Sequence, residues 1–271
     1  MVCIFCGHDR KRSREDVFPR WLHPLFPVLG EAEHLRRLVT PSSDDEHRRP
    51  ASVPFDVIVR DICTVCNNGW MSRLEEQVKP FLTPMLLDNP RVLTAVEQHL
   101  LATWATKTAL TMEGANIGGN RYTPESEYHW FHDHVGPLPN AHIWLCRYGG
   151  QGNWPLSVHQ WGMTLNPPGA PVPKPGDPVN GYSVVFAIGP VVFWLWGHSL
   201  VGGPYTQARS DDAHALIWPA LGNDVHWPPR RTLQAEAELQ ALSHLAPTGV
   251  EPRGLAEIAS RLPQLTHAPN G

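Results

Sequence analysis

Two pairs of cysteines are the residues of this chain whose spacing most clearly predicts chemistry. Two residues separate Cys3 from Cys6, and two separate Cys63 from Cys66. This spacing lets both thiolates of a pair face one tetrahedral ion, so the two pairs together predict a Cys₄ zinc site. Because cysteine fills all four positions, the zinc is expected to be structural, and its binding would contribute directly to folding. Four reduced thiols without metal are the alternative, which explains the paired spacing poorly.

The segments around these cysteines resemble one known family. The residues concerned are Cys-x-x-Cys-Gly at 3–7, Ser-Arg-Glu-Asp-Val-Phe-Pro-Arg-Trp-Leu at 13–22 and Cys-x-x-Cys-Asn-Asn-Gly-Trp-Met-Ser-Arg-Leu-Glu at 63–75. Taken together, they resemble the zinc-bearing branch of the HNH (His-Me finger) endonucleases, over residues 1–80 only. The resemblance implies a treble-clef or ββα unit that holds one divalent ion and hydrolyses a phosphodiester.

Carried onto this chain, the resemblance implies three catalytic positions. Glu15 and Asn67 match the ligands of a catalytic Mg²⁺ or Mn²⁺, and Asp16 stands where the family has its general-base histidine. A histidine is partly neutral at pH 7 and accepts a proton readily, whereas an ordinary aspartate is a much weaker base. No asparagine occurs between Asp16 and Cys66, so the middle asparagine of the family pattern also has no counterpart.

This altered catalytic set leaves three interpretations open. Glu15 and Asp16 could hold a metal together, with water or another group as the base. His8 or His23 could replace the missing histidine in space. The nuclease chemistry could also be lost, with the scaffold serving another purpose. Without the resemblance, the two acidic residues fit a solvated helix start and Asn67 fits a helix cap.

Beyond this segment the sequence predicts an α+β architecture in two domains. Residues 1–89 form the zinc-bound, HNH-like domain, and residues 90–271 form a larger α+β domain of unknown role, with helices and an antiparallel sheet. The polar stretch at 37–54 predicts a loop. Apolar periodicity predicts further helices and strands. The helices are expected at 67–82, 91–113, 123–134, 233–245 and 254–262, and the strands at 53–62, 141–148, 156–165, 182–189 and 190–196.

The larger domain supports a second hypothesis, in which a repurposed enzyme acts on a small molecule and the zinc is purely structural. Lys107 and Glu113 lie on the same predicted helix, and either could point into a pocket. His129 and His132, spaced i and i+3, could hold a second metal, although surface histidines explain them as well. Four tryptophans could line a pocket or pack in the core; they are Trp130, Trp154, Trp161 and Trp218.

Composition restricts the partners. The chain has 271 residues, 42% hydrophobic and 18% charged, with a net charge of −4, which excludes wholesale disorder and a strongly basic nucleic-acid coat. The basic cluster at 10–14 lies beside the predicted site, where DNA or another nucleic acid would need phosphate contacts. The acidic overall charge counts against a third hypothesis, a zinc-dependent nucleic-acid-binding module without catalysis. No membrane span or signal peptide is apparent, so a cytoplasmic protein is expected.

Overall fold

The computed structural model describes residues 2–26, 32–40, 43–52, 55–115, 121, 123–150, 156–165, 179–198 and 210–244. The strands are β1 (Glu15–Asp16), β2 (Ala32–Thr40), β3 (Ser43–Ser52), β4 (Ile58–Val59), β5 (Arg91–Leu93), β6 (Ala141–Tyr148), β7 (Leu156–Met163), β8 (Gly181–Ile188), β9 (Val191–His198), β10 (Ala215–Trp218), β11 (Val225–Trp227) and β12 (Thr232–Leu233). The helices are α1 (Thr64–Cys66), α2 (Ser72–Leu86), α3 (Ala95–Gly114), α4 (Glu125–His134) and α5 (Glu236–His244). The fold is α+β, as the sequence predicts.

An eight-stranded sheet forms the centre of the described structure. Its strand order is β10-β6-β9-β8-β7-β2-β3, and β12 adds to β6. Neighbours are antiparallel except at β2–β7 and β12–β6. Strands β8 and β9 form the hairpin that the sequence predicts, with Gly189 in its turn at φ +53°. A Cβ at Gly189 would lie 2.6 Å from the ring of Phe26, so both the turn and the packing favour glycine there.

Both faces of β8 and β9 are covered. Val184 and Phe186 face a core that includes Trp104 of α3, whose ring centroid lies 6.2 Å from that of Phe186. Val185 faces the opposite core, together with Leu239 of α5. Because every residue of these strands is buried, they appear in the sequence as continuous apolar runs rather than as an alternation.

Helix α3 runs through the core and carries two buried charged residues, Lys107 and Glu113. It starts later than predicted: 91–93 form strand β5, which pairs with β11, and the helix begins at Ala95. The reason is a capping box, in which the Thr94 hydroxyl accepts from the Glu97 amide and the Glu97 carboxylate accepts from the Thr94 amide. Every residue from 101 to 113 is buried, which is typical of a helix enclosed on all sides.

Two further differences concern polar segments. The predicted loop at 37–54 falls largely on the hairpin of β2 and β3, whose backbones pair from Ala32 opposite Ser52 to Thr40 opposite Ser43. Strand β3 is the edge of the sheet, and edge strands are commonly rich in charge, so a polar composition does not separate them from loops. The strand predicted at 53–62 is confined to β4 among the described residues. The helix predicted at 254–262 lies outside them.

The N-terminal unit, defined here as residues 2–26 and 55–86, packs directly on the rest of the chain. Its short strands β1 and β4 pair antiparallel, with Glu15 opposite Val59. Phe18, just after β1, lies 6.5 Å from Phe186 of the central sheet, measured between ring centroids. One hydrophobic cluster therefore contains residues from both sides of residue 89. The boundary at 89 stays a prediction from the sequence.

Candidate metal centre, charged triad and cleft

The four predicted zinc ligands converge on one point. The sulfur atoms of Cys3, Cys6, Cys63 and Cys66 all lie within 4.8 Å of one another, and this cysteine centre could hold a metal ion such as zinc. The Cys3 and Cys66 sulfurs are 3.9 Å apart, and those of Cys6 and Cys63 are 3.8 Å apart. Zinc–sulfur bonds of about 2.3 Å in a tetrahedron give sulfur–sulfur edges of about 3.8 Å. The spacing therefore fits the ion.

Local backbone geometry explains why the sulfurs converge. Gly7, at φ +65°, turns the chain back after Cys6, and its amide donates to the Cys3 carbonyl at 3.0 Å. The second pair opens helix α1, where the Cys63 sulfur accepts from the Cys66 amide at 3.4 Å. The Cys63 amide in turn donates to the Cys3 sulfur at 3.4 Å. Such N–H···S contacts orient thiolates around a metal.

The residues between the cysteines anchor this centre in the core. Ile4 and Phe5 are both buried. A Cβ added at Gly114, the end of α3, would lie 3.0 Å from the Ile4 side chain, so α3 and the segment between Cys3 and Cys6 are in close contact. The Phe5 ring lies 5.4 Å from that of Trp70 and 5.6 Å from that of Tyr128 on α4. The packing around the cysteine centre thus extends to α3 and α4.

Glu15, the predicted ligand of a catalytic metal, contacts an internal cation. Its carboxylate is buried, and its Oε1 lies 3.3 Å from the Nζ of Lys107 on α3. The same Nζ donates to the Oε1 of Glu75 on α2 at 2.7 Å. The Lys107 side chain has no exposed area. These three residues form a charged triad that joins β1, α2 and α3.

Burial and charge act against each other within the triad. Burial raises the pKa of Glu15, and the charge of Lys107 offsets this only in part. Burial alone would lower the pKa of Lys107, but the carboxylates of Glu75 and Glu15 outweigh it and raise that pKa overall. Lys107 is therefore charged at neutral pH. Its ammonium group lies beside the carboxylate that a divalent ion would need.

Asp16 and Asn67 do not join Glu15 in a common cluster of contacts. Neighbours on a strand point to opposite faces, and Asp16 faces outward, where its Oδ2 accepts from the Arg20 Nε at 2.8 Å. Asn67 follows Cys66, and its backbone amide donates to the Cys63 carbonyl. It opens the π-helical turn Asn67–Met71 that leads into α2. The opposed directions of Glu15 and Asp16 disfavour a metal held by both.

The predicted alternative histidines are engaged elsewhere or exposed. His8 is exposed, and the His23 ring lies 5.7 Å from that of Phe55. On α4, His129 lies 3.8 Å from a Glu125 carboxylate oxygen and His132 lies 2.9 Å from one of Asp133. In the part of the chain that the structure describes, only the cysteine centre gathers three or more His, Cys, Asp or Glu ligand atoms in this way.

A cleft lies between α3 and the central sheet. It contains about 330 Å³ of empty volume, part of it open to solvent. Apolar side chains form most of its wall, and a carboxyl group and a phenol contribute polar groups. The lining includes Leu110, Leu138, Val184, Leu195, Glu113 and Tyr182. Two of the predicted pocket tryptophans are not among the described residues lining it: Trp130 stacks on His134, and Trp218 donates to a backbone carbonyl. Trp154 and the side chain of Trp161 lie outside the described part of the chain.

Glu113 is held firmly in this cleft. Its Oε1 accepts from the Thr123 amide and its Oε2 from the Tyr128 hydroxyl, both at 2.9 Å. Burial and the charge of Glu113 raise the pKa of Tyr128 well above its usual value, which keeps the phenol protonated as a donor. On α4, burial, with a further contribution from the Glu113 charge, raises the pKa of Glu127 to about 7.

Sequence reasoning missed the partnership of Glu75 with Lys107. The available signal was a lysine within an otherwise uncharged helical segment, which predicts a buried partner of opposite charge. Pairing across 32 positions of the chain could not be identified from spacing. For Glu113, the expectation of a side chain pointing into a pocket agrees with its place in the cleft.

Among the described residues, no helix is long and apolar enough to cross a membrane. A scan against protein-family models, a search of curated proteins and a search of solved structures each gave no match. The likeness to HNH endonucleases therefore stays a prediction from the sequence.

Proposed function

We propose that this chain is a zinc-stabilised, HNH-like protein that binds a small molecule in the cleft between α3 and the sheet. In this proposal, the N-terminal unit is a structural scaffold and does not hydrolyse phosphodiesters. The observation that carries it is the charged triad, because Lys107 pairs with the carboxylate of Glu15, which would have to bind the catalytic ion. The small-molecule hypothesis then gives the larger C-terminal part of the chain a role, because α3 and the strands that line the cleft belong to it.

A structural zinc is supported by its ligand set. Four cysteine sulfurs leave no open coordination position for water or substrate, which a catalytic zinc requires. The ligands also lie on two segments far apart in sequence, so one ion fixes the start of the chain to the start of α1. The buried Ile4 and Phe5 depend on that arrangement.

Electrostatics argue against Mg²⁺ or Mn²⁺ at Glu15. A divalent ion bound there would lie close to the buried ammonium of Lys107, and two cations repel strongly where water does not screen them. Asp16 does not provide a second carboxylate ligand beside Glu15, because it pairs with Arg20 on the outer side of β1. In the competing nuclease hypothesis, DNA or another nucleic acid would contact the exposed basic cluster at 10–14, and Lys107 would have to leave Glu15.

The cleft has the features of a small-molecule site. Such sites are concave, mostly apolar and equipped with a few fixed polar groups, and volumes of about 300–1,000 Å³ are typical. The part of this cleft that is closed off from solvent is much smaller than that range, so only a very small ligand, or one that moves the walls apart, is expected to enter it. Glu113, held by two hydrogen bonds, provides a fixed polar group.

Titration with n-pentanol, followed by methyl NMR, tests whether the cleft accepts small molecules. We expect saturable shifts at the methyl groups of Leu110, Leu138 and Val184, because the apolar walls favour the hydrocarbon tail of this neutral probe. Ala109→Met should abolish these shifts by filling the cleft, and the matched control Ala95→Met, at an exposed position on α3, should leave them unchanged. Shifts spread over exposed methyl groups, or no saturation, would contradict the proposal.

A further inference from the structure

Strand β3 is an edge of the central sheet that a further strand could extend. Within the part of the chain that the structure describes, it pairs with β2 alone, and it is 10 residues long, from Ser43 to Ser52. The outer side of an edge strand presents a row of backbone N–H and C=O groups, which is a template for pairing with another chain. An added strand would gain affinity from main-chain hydrogen bonds and specificity from its side chains.

The charges along β3 are separated by sign. The first half of the strand contains consecutive acidic residues at 44–46, and the second half contains consecutive arginines at 48–49. His47 stands between the two blocks. Charged residues on an edge strand commonly serve to keep other strands away, but that purpose does not require the two signs to be sorted along the strand. The order of the signs therefore points to a partner of complementary order.

Pairing within the hairpin of β2 and β3 accounts for only part of this order. In its register, Asp45 stands opposite Leu38, and Arg49 stands opposite His34. Neither position therefore has an opposite charge directly across from it on β2. A partner along the outer side of β3 would supply the complementary charges.

A second copy of the same strand fits the order of the charges. Two identical antiparallel strands related by a two-fold axis bring residues of the same face opposite each other, so the two opposed residue numbers add to an even number. Registers centred on Glu46 or Arg48 place that residue opposite itself, and like charges in this position are destabilising. The register centred on His47 instead places Asp45 opposite Arg49 and Glu46 opposite Arg48, on both sides of the axis.

We propose that two copies of this chain pair through their β3 strands, antiparallel and centred on His47, so that the central sheet continues from one copy into the other. Pro50 has no amide hydrogen to donate, which limits the pairing at that end of each strand. A short interface of charged residues gives a weak dimer that salt dissociates. This dimer is independent of what the cleft binds.

Sedimentation velocity of the whole protein over a concentration series tests the pairing. We expect a reversible dimer that dissociates in about 1 M salt, where the screening length falls to about 3 Å. Asp45→Arg and Arg49→Asp should each raise the dimer dissociation constant by about tenfold or more, because each places like charges across the axis. These positions are preferred to Glu46, which already stands opposite Arg37 in the hairpin. Asp56→Arg, the same change at an exposed position outside β3, is the matched control and should dimerise like the wild type.

An equimolar mixture of the two variants tests the register itself. In a mixed pair, opposite charges again face each other at these positions, so a labelled Asp45→Arg chain should dimerise with an Arg49→Asp chain although neither dimerises alone. If both variants are folded and the mixture stays monomeric, the register centred on His47 is wrong. Zinc content and circular dichroism verify the fold of each variant.

Hydrogen exchange of the wild type provides a test that needs no variant. Exchange at the backbone amides of 44–48 should slow as the protein concentration rises, whereas exchange in α4 should not change. A wild type that is monomeric at every concentration would overturn the proposal. A dimer whose β3 amides exchange as fast as those of the monomer, or one that both variants retain, would overturn it as well.

Discussion

Replacing Lys107 by methionine is expected to lower the free energy of unfolding by about 3–5 kcal/mol, the usual cost of removing one partner from a buried ion pair. The ammonium has no exposed area and serves two carboxylates, at 2.7 Å from Glu75 and 3.3 Å from Glu15. Without it, Glu15 stays buried with no compensating cation. Methionine approximates the length and apolar stem of lysine, so the loss reports on the charge rather than on a cavity.

Urea denaturation of the wild type and the variant measures this effect. Lys79→Met provides the matched control, because Lys79 is exposed on α2, and its replacement should change the free energy of unfolding by less than about 0.5 kcal/mol. Combining Lys107→Met with Glu15→Gln and Glu75→Gln should recover much of the loss, since a triad without charge has no charge to desolvate. A small effect of Lys107→Met alone would show that the triad does not hold these elements together.

The pH dependence of the Lys107→Met variant follows from the direction of the pKa shifts. Burial raises the pKa of Glu15 even with Lys107 present, and losing the lysine removes the main influence that lowers it. A raised carboxyl pKa favours the folded state at low pH and disfavours it once the group ionises. The deficit of the variant should therefore shrink as the pH falls from neutral. In the wild type, the raised pKa of Lys107 confers stability that is lost only above its ordinary value of 10.5.

Removing the metal should have an even larger effect. We expect one zinc per chain by elemental analysis, and Cys66→Ser should lose both the metal and the folded N-terminal unit. Structural zinc contributes an apparent free energy of about 10–16 kcal/mol in small zinc domains, which is comparable to the whole stability of an ordinary protein. Because Ile4 and Phe5 pack on α3 and α4, the damage should spread into the core.

Cys146→Ala is the matched control for the cysteine centre. Cys146 is a free thiol buried in β6, and burial raises its pKa, so it is a packing residue remote from the four ligands. This variant should keep its zinc. An unchanged fold after complete removal of metal by a chelator would contradict the structural role, and zinc retained in Cys66→Ser would contradict the ligand assignment.

Features set by local spacing could be predicted from the sequence. Each Cys-x-x-Cys pair determines its own geometry, and the second lies on the opening of a helix. Strand β6 has the predicted bounds, because a short apolar run between turns has few alternatives. The predicted start of α3 at residue 91 is wrong, because apolar periodicity continues through 91–93 while the capping box at Thr94 begins the helix at Ala95.

Features set by tertiary contacts could not be predicted in the same way. Glu15 and Asp16 are neighbours in the sequence, yet the alternation of the strand sends one to Lys107 and the other to Arg20. A family resemblance compares residue types and not the partners that each side chain meets. The cleft likewise depends on side chains from α3 and three strands, whose proximity only the fold determines.

Cleavage of supercoiled plasmid in the presence of Mn²⁺, by wild type, Glu15→Gln and Asp16→His, decides whether the N-terminal unit is a scaffold or a nuclease. We expect no metal-dependent cleavage by the wild type, and none by Asp16→His, because restoring the histidine leaves Glu15 paired with Lys107. Zinc content verifies that each variant is folded. Cleavage by the wild type that disappears in Glu15→Gln would contradict the account, and it would show that the HNH-like unit is a working nuclease.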